Sequence, residues 1–290
     1  MTLDVRESIF IRDLLKRCNF PSAGPVDCAV SGGPDSMALL YLAFVAGLNP
    51  TAHHVDHGLR PGSAMEADFV SDFSRSLGAG FVAHRVNLDD GPNLEARARA
   101  TRRAALPDGV LTGHTADDQA ETVLLNLMRG SGTDGLAGMR RSPSKPLLAL
   151  RRAETHDLCR LLGITVANDE SNVDPRFRRN RVRHELLPLL DKIAQRDVTA
   201  IIAREANLIA DDEHLLDQLA SAIDVHDAIG LARAPVPLAR RAIRRWLSDP
   251  YPPDSATVER VLEVARGLHP TCDIGRGRRV FRSRQRLELE

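Results

Sequence analysis

The sequence predicts an α/β fold: a doubly wound parallel sheet with a smaller, mainly helical C-terminal domain. Three observations predict it. Short β-branched runs alternate with helix-length segments through the first half of the 290-residue chain. One strand-like run, "CAV", stops at two glycines and passes directly into the helical "PDSMALLYLAF". The last third lacks this alternation and reads as helices followed by an arginine-studded tail. Strands separated by helices pair in parallel, because each crossover carries a helix back over a sheet face.

The elements follow in order. The opening "MTLDVRESIFIRDLLKRCNF" mixes charged and apolar residues at helical spacing. It has no uninterrupted apolar core, so it is not a signal peptide, and no later run is long enough to span a bilayer. A cytoplasmic enzyme with no membrane partner is the expectation. Strands are expected at "PVDCAV", "TAHHVD", "GFVAHRVNL" and "GVLTG", and helices over 35–46, 63–77, 93–106 and 116–129. In such sheets ligands bind beyond the carboxyl ends of strands, where strand order reverses. The order 3-2-1-4-5 would set the polar turns "SGGPDS" and "GHTADDQAET" side by side. Residues 130–150, rich in Gly, Ser and Pro, read as a mobile loop followed by a short strand. A helix is expected over 153–162, then a loop dense in arginine that runs into another helix. A long helical stretch from about 193 to 222 leaves the sheet domain, which gives domains at 1–215 and 216–290.

Composition narrows the chemistry. Acidic and basic residues balance at 39 each, and the only lysines are Lys16, Lys145 and Lys192. Phosphate or carboxylate recognition therefore falls to arginine forks or backbone amides. Aromatic residues make up 4% of the chain, so base-stacking platforms do not dominate any nucleic-acid contact. Cys18, Cys28, Cys159 and Cys272 form no C-x-x-C pair, which leaves them as free thiols rather than a zinc knuckle or disulfide framework.

"SGGPDS" contributes Ser31, Gly32, Gly33, Pro34, Asp35 and Ser36. Glycines after a strand let the backbone approach a polyphosphate, and the helix start offers free N–H groups and a positive dipole end. The loop lacks the lysine of a Walker A motif. A carboxylate beside polyphosphate repels it unless a divalent cation lies between, so Asp35 points to Mg²⁺. The alternative is a glycine turn with Ser and Asp capping a helix.

After a strand, "SGGPDS" resembles the pyrophosphate loop of the N-type ATP pyrophosphatases, which adenylate a carbonyl oxygen, release pyrophosphate and let a nucleophile displace AMP. With "HHVDHGLRPGSAMEADFV", "NLEARARATRR", "GHTADDQAETVLLNLMRGSG" and "DESNVDPRFRRNRVRHELLP", residues 24–190 resemble the tRNA(Ile)-lysidine synthetases. Arg103 stands where that family commonly has tyrosine. The resemblance implies ATP and Mg²⁺ as cofactors, with L-lysine and a tRNA(Ile) bearing a CAU anticodon as partners. It implies ATP contacts at residues 31–36, His57 and Gly113; the arginines of "ARRAIRRW" and the tail extend a tRNA-binding role to the C-terminal domain, and a homodimer stays open. The reaction implied is ligation of lysine to carbon 2 of the wobble cytidine through an adenylated tRNA.

The residues of each motif bear their own reading. His114, Asp117, Asp118 and Glu121 lie three and four apart, so on a helix they share one flank. Three acids on one surface repel one another unless a cation joins them, and lysine offers two ammonium groups. Which acid meets lysine and which meets metal stays open. Glu95, Arg99 and Arg102 also share a face. Arg99 and Arg102 either meet a phosphate of ATP or tRNA, or Arg99 pairs with Glu95 within the helix. His57 follows the second strand and either touches nucleotide or caps the strand. Arg176, Arg178, Arg179, Asn180, Arg181 and Arg183, against the single Asp174, form an electrostatic footprint for an RNA backbone, with a solvated helix face as the alternative. RNA thiolation is the nearest rival function, but the cysteine pattern opposes it. A GMP- or NAD-synthetase type of amidating enzyme leaves the arginine cluster unexplained.

Overall fold

The computed structural model describes residues 9–56, 63–86, 94–167 and 174–290, with the side chains of 63–65, 94–96, 98, 99 and 102 also left out. The chain divides into two compact units, Met1–Asn207 and Leu208–Glu290.

The first unit is built on three parallel strands in the order β1 (Pro25–Ala29), β2 (Asn49–Asp56) and β3 (Gly80–Arg85). Cys28 lies opposite Ala52, and Ala52 opposite Phe81. On the far side of β1 the expected fourth strand is reduced to one parallel bridge, Cys28 to Leu111. The Leu111 N–H donates to the Asp27 carbonyl at 2.8 Å, and its carbonyl accepts from the Ala29 N–H at 2.9 Å. Thr112 then turns away and donates to the Ser144 carbonyl at 2.9 Å. The spatial order is thus 3-2-1 followed by the 111 segment, and Gly109 and Gly113 on either side of it shorten the strand.

Helix α1 (Ile9–Arg17) precedes the sheet, and α2 (Pro34–Val45) follows β1. Every residue of α2 from Ser36 to Ala43 is buried, because the helix packs on β1, β2, α3 (Ser63–Leu77) and α7 (Arg152–Leu161). A helix enclosed in this way is apolar all round rather than along one stripe. Met37, Leu39, Leu40 and Leu42 join Ile11, Leu14, Leu147, Leu150 and Leu158 in one core. Along the chain, α4 (Leu94–Ala105) follows β3, and α5 (Ala116–Met128) and α6 (Thr133–Leu136) come between the 111 segment and α7.

Residues 130–150 depart from the loop-and-strand expectation. They hold α6 and a series of turns, and no strand forms there. Gln119 fastens the segment, donating to the carbonyls of Ala137 and Met139 at 3.2 and 3.0 Å, while Leu147 and Leu150 are fully buried.

After α7, α8 (Arg178–Arg181), a π-helical turn at Val182–Leu186 and α9 (Leu187–Ala194) run on without a break, and α10 is Val198–Ser221. Ala120 and Leu124 of α5 pack with Val182 and Leu187.

The second unit has α11 (Ala228–Arg233), α12 (Val236–Trp246) and α13 (Ser255–Ala265), then a three-stranded antiparallel sheet of β4 (Thr271–Gly275), β5 (Arg278–Ser283) and β6 (Arg286–Leu289). The expected tail is therefore a sheet. Val280 and Leu287 enter the core with Leu231, Ile243, Val261 and Leu262, while Arg279 faces outward. Arg284 and Gln285 both take positive φ, the conformation that closes a two-residue hairpin. Asp254 caps α13 by accepting from the Thr257 N–H at 2.7 Å.

Candidate active site

The loop after β1 is braced from within. Gly32 adopts φ +87°, and its carbonyl accepts from the Ala167 N–H at 3.1 Å. The buried Ser36 hydroxyl donates to the Gly33 carbonyl at 2.8 Å and accepts from the Ser31 N–H at 3.1 Å. Ser31 itself is exposed. Gly33 is extended and Pro34 opens α2, so the first amides of the helix face the loop. Gly113 meets this loop backbone to backbone. A Cβ there would lie 2.7 Å from the Asp35 carbonyl oxygen and 3.1 Å from the Ser36 nitrogen, so only glycine permits the approach.

Asp35, in the first turn of α2, accepts from the Thr155 hydroxyl and lies 3.5 Å from Arg152 Nε. Burial pushes its pKa up, and Thr155 and Arg152 offset this only in part.

The acidic turn lies beside it. Helix α5 begins at Ala116 with Thr115 as its cap, and Asp118 Oδ2 accepts from the Thr115 N–H at 2.9 Å and hydroxyl at 3.1 Å. This cap ends the helix short of His114, which corrects the expectation of four groups on one helical flank. His114 lies outside α5, with Nδ1 2.8 Å from the Thr112 hydroxyl. Asp117, Asp118 and Glu121 remain together.

Their counter-ions are the chain's own arginines. Arg151 Nε donates to Asp117 Oδ2 at 3.0 Å, and the Arg152 N–H to the same oxygen at 2.8 Å. The Arg152 side chain donates to Asp118 Oδ1 at 2.9 Å and Glu121 Oε1 at 3.0 Å. Arg179 Nε donates to Glu121 Oε2 and Arg183 Nε to Glu121 Oε1, both at 2.7 Å. The Glu121 side chain is wholly buried. A bare carboxylate there would be strongly disfavoured, and three guanidiniums are what permit it. For Asp117 and Asp118 burial acts to raise the pKa, but the arginines and backbone donors outweigh it and hold both below the ordinary value. Asp35, Asp117, Asp118 and Glu121 thus face Arg151, Arg152, Arg179 and Arg183, with Asp197 also paired to Arg151, in an ionic network that joins the loop to the acidic turn.

The expected basic footprint divides. Arg179 and Arg183 turn inward, Arg176 pairs with Asp174 at 2.7 Å, and Arg181 with Glu185 at 2.8 Å. Asn180 is buried and donates to the Asp174 carbonyl at 2.9 Å. Arg178 is exposed. Arg99 and Arg102 lie on α4, but their side chains, like all of His57, fall outside the described residues. Arg151, Arg152 and Thr155 are the site residues that the sequence reading missed. A usable signal was present: two arginines open α7, where the helix dipole disfavours cations unless acids are close by.

Two thiols lie near the loop. Burial pushes Cys28 and Cys159 up to about 12, and Cys159 Sγ lies 3.4 Å from the Pro34 carbonyl.

A PP-loop domain, an ATP-binding family, matches residues 7–190, and defines the class of enzyme to which this fold and loop belong. A tRNA(Ile)-lysidine synthase from Mycolicibacterium paratuberculosis is 46% identical over 237 residues, covering 76% of this chain and 73% of the relative. One from Nocardia farcinica is 44% identical over 80% of this chain and 78% of its own. One from Thermobifida fusca is 39% identical over 88% and 87%. The chain belongs to the tRNA(Ile)-lysidine synthase family.

Proposed function

We propose that this enzyme joins L-lysine to carbon 2 of the wobble cytidine in a tRNA(Ile) with a CAU anticodon, consuming ATP through an adenylated tRNA. The observation that carries the reading is the bridge of Arg152 from Asp35, in the nucleotide loop, to Asp118 and Glu121 in the acidic turn. It sets a triphosphate cradle against a site rich in carboxylates, which is what a reaction between a nucleotide and a diamino acid requires.

The cytidine oxygen at carbon 2 bonds to the α-phosphorus of ATP, and pyrophosphate leaves. The lysine ε-ammonium gives a proton to solvent, its nitrogen bonds to carbon 2, and AMP departs with the oxygen. The loop amides and the α2 N-terminus hold the phosphates. At neutral pH the ε-amine is mostly protonated, since its reference pKa is about 10.4. Asp118, held ionised below the ordinary value, is a weak base and serves to bind the ammonium rather than take its proton.

Mg²⁺ fits the donor set on one side. Asp35 is a desolvated carboxylate at the loop edge, and Mg²⁺ commonly takes one or two carboxylates with phosphate oxygens and water. Among the described residues no group of three His, Cys, Asp or Glu could hold a metal ion, so the other ligands would come from phosphate and water. Bound there, the ion would neutralise charge on the leaving pyrophosphate.

The cysteine pattern opposes thiolation: Cys18, Cys28, Cys159 and Cys272 form no C-x-x-C pair, and burial raises all four thiols. Among the described residues no helix is long and apolar enough to cross a membrane. The second unit is proposed to contact tRNA, with the exposed Arg245 and Arg279 as candidates.

The test is labelled-lysine incorporation into tRNA transcripts with CAU anticodons, comparing isoleucine with methionine acceptors. ATP-dependent incorporation into the isoleucine acceptor is expected. No incorporation into either acceptor overturns the reading.

A further inference from the structure

The acids of the proposed amine site have no free place for a substrate ammonium. Glu121 Oε1 accepts from Arg152 and Arg183, and Oε2 from Arg179 and Arg183. Asp118 Oδ2 is taken by Thr115, and its Oδ1 by Arg152. Lysine can enter only if a guanidinium leaves. Arg152 alone among the four arginines touches both Asp35, in the nucleotide loop, and the acids of α5.

Arg152 is held at the loop end by the weakest of its contacts, 3.5 Å to Asp35, and at the other end by two short bonds to acids. A triphosphate in the loop would bring a denser, fork-shaped acceptor to that first end, and guanidinium groups bind phosphate bidentately. Moving the fork toward phosphate frees the hydrogen-bonding position it holds on Asp118 Oδ1 and on Glu121 Oε1, while Arg183 stays on Glu121 Oε1 at 2.7 Å. Free lysine carries a net charge of +1, the same as the guanidinium it would replace, so the exchange leaves the net charge around these acids unchanged.

Building on the ligase reading, we infer that Arg152 is a positioning residue that closes the amine site until nucleotide binds, so that lysine binding depends on ATP. Arg152 stands in for the substrate cation in the empty enzyme. Nucleotide draws it away, and the same acids then hold lysine. The coupling is reciprocal, so lysine also tightens nucleotide binding.

The experiment is equilibrium dialysis of labelled lysine against the full chain, with and without a non-hydrolysable ATP analogue and Mg²⁺. Wild-type affinity for lysine is expected to rise about 10-fold or more with the analogue, within the usual range of coupling between sites. Arg152→Met is expected to bind lysine equally well in both conditions. Arg152→Lys keeps the charge but not the fork, which guards against loss of fold, and its coupling is expected to fall several-fold. A thermal melt of each variant confirms that folded protein is compared. Equal lysine binding by wild type with and without the analogue overturns the coupling and leaves the ligase reading intact. Full coupling in both variants removes Arg152 from the role. Wild type that binds no lysine in either condition overturns the ligase reading and this inference with it.

Discussion

Arg152 Nη1 stands 3.0 Å from Glu121 Oε1, and that carboxylate, wholly buried, also takes the guanidiniums of Arg179 and Arg183. Glu121 is the point on which three separate segments converge: α5, the start of α7, and α8 with the turn that follows it. Its environment dictates what a substitution does.

Glu121→Ala leaves three buried or half-buried guanidiniums without their shared partner. Breaking a buried ion pair from one side costs about 3–5 kcal/mol. Urea unfolding should show a loss of this size, with the slope against denaturant unchanged. A loss below about 1 kcal/mol, the range of exposed pairs, would place Glu121 in a solvated rather than a structural network.

Gly113→Ala puts a Cβ 2.7 Å from the Asp35 carbonyl oxygen, and backbone on both sides leaves no flexible group to yield. The nucleotide loop must shift. The KM for ATP should rise at least several-fold, with a smaller change in the KM for lysine. Equal changes in both would mean that the loop and the acidic turn move as one.

The acids of the site respond to pH in opposite senses. Asp35 has its pKa raised in the fold by burial, so the folded state binds its proton more tightly than the unfolded chain does. Its destabilising contribution is absent below the unfolded value of about 3.9 and fully present above the folded value. Asp35→Asn should therefore raise the melting temperature at pH 7 while abolishing adenylation. Asp117 and Asp118 are lowered, so their contribution is fully present above about pH 3.9 and is lost as pH falls through their folded values. A melting temperature unchanged or lowered in Asp35→Asn would show that Thr155 and Arg152 fully satisfy this carboxylate.

Arg178 and Arg179 are adjacent but differ in role. Arg178 is exposed, and Arg179 reaches Glu121 and the Thr122 hydroxyl. Arg178→Ala should lower the slope of log affinity for tRNA against log salt by about 0.7, the single-strand value for one phosphate contact. Arg179→Ala should leave that slope unchanged and lower stability instead. An unchanged slope in Arg178→Ala would return this residue to the solvated helix face.

Most of the first unit was legible because its signals are local. The strand–glycine–helix junction fixed β1 and α2, and apolar periodicity gave α3, α4 and α5 to within one or two residues of their ends. The fourth strand was misread because "GVLTG" is apolar enough for a strand, while its flanking glycines cut pairing to Leu111. The terminal sheet was hidden by arginine: Val280 and Leu287 point inward at single positions, too sparse to show as alternation. In the site, loop and acids were visible because each lies within one motif. The pairing of Arg152 with Asp118, 34 residues earlier, was not, since spacing along the chain carries no signal of it. The inward turn of Arg179 and Arg183 was missed for the same reason: a basic run reads as exposed until a buried acid is placed beside it.

Asp118→Asn tests most directly whether nucleotide and lysine occupy separable halves of one site. Asparagine keeps an oxygen to cap Thr115 but loses the charge that would hold an ammonium. A lost charge-assisted hydrogen bond costs about 1.5–3 kcal/mol, or roughly ten- to a hundredfold in affinity. Pyrophosphate release and lysine incorporation are to be followed separately in the same variant, with tRNA and ATP saturating. The expected result is near-normal pyrophosphate release without lysine, and a lysine requirement raised by about ten- to a hundredfold for incorporation. A parallel fall in both, or a change in the ATP requirement alone, would contradict it.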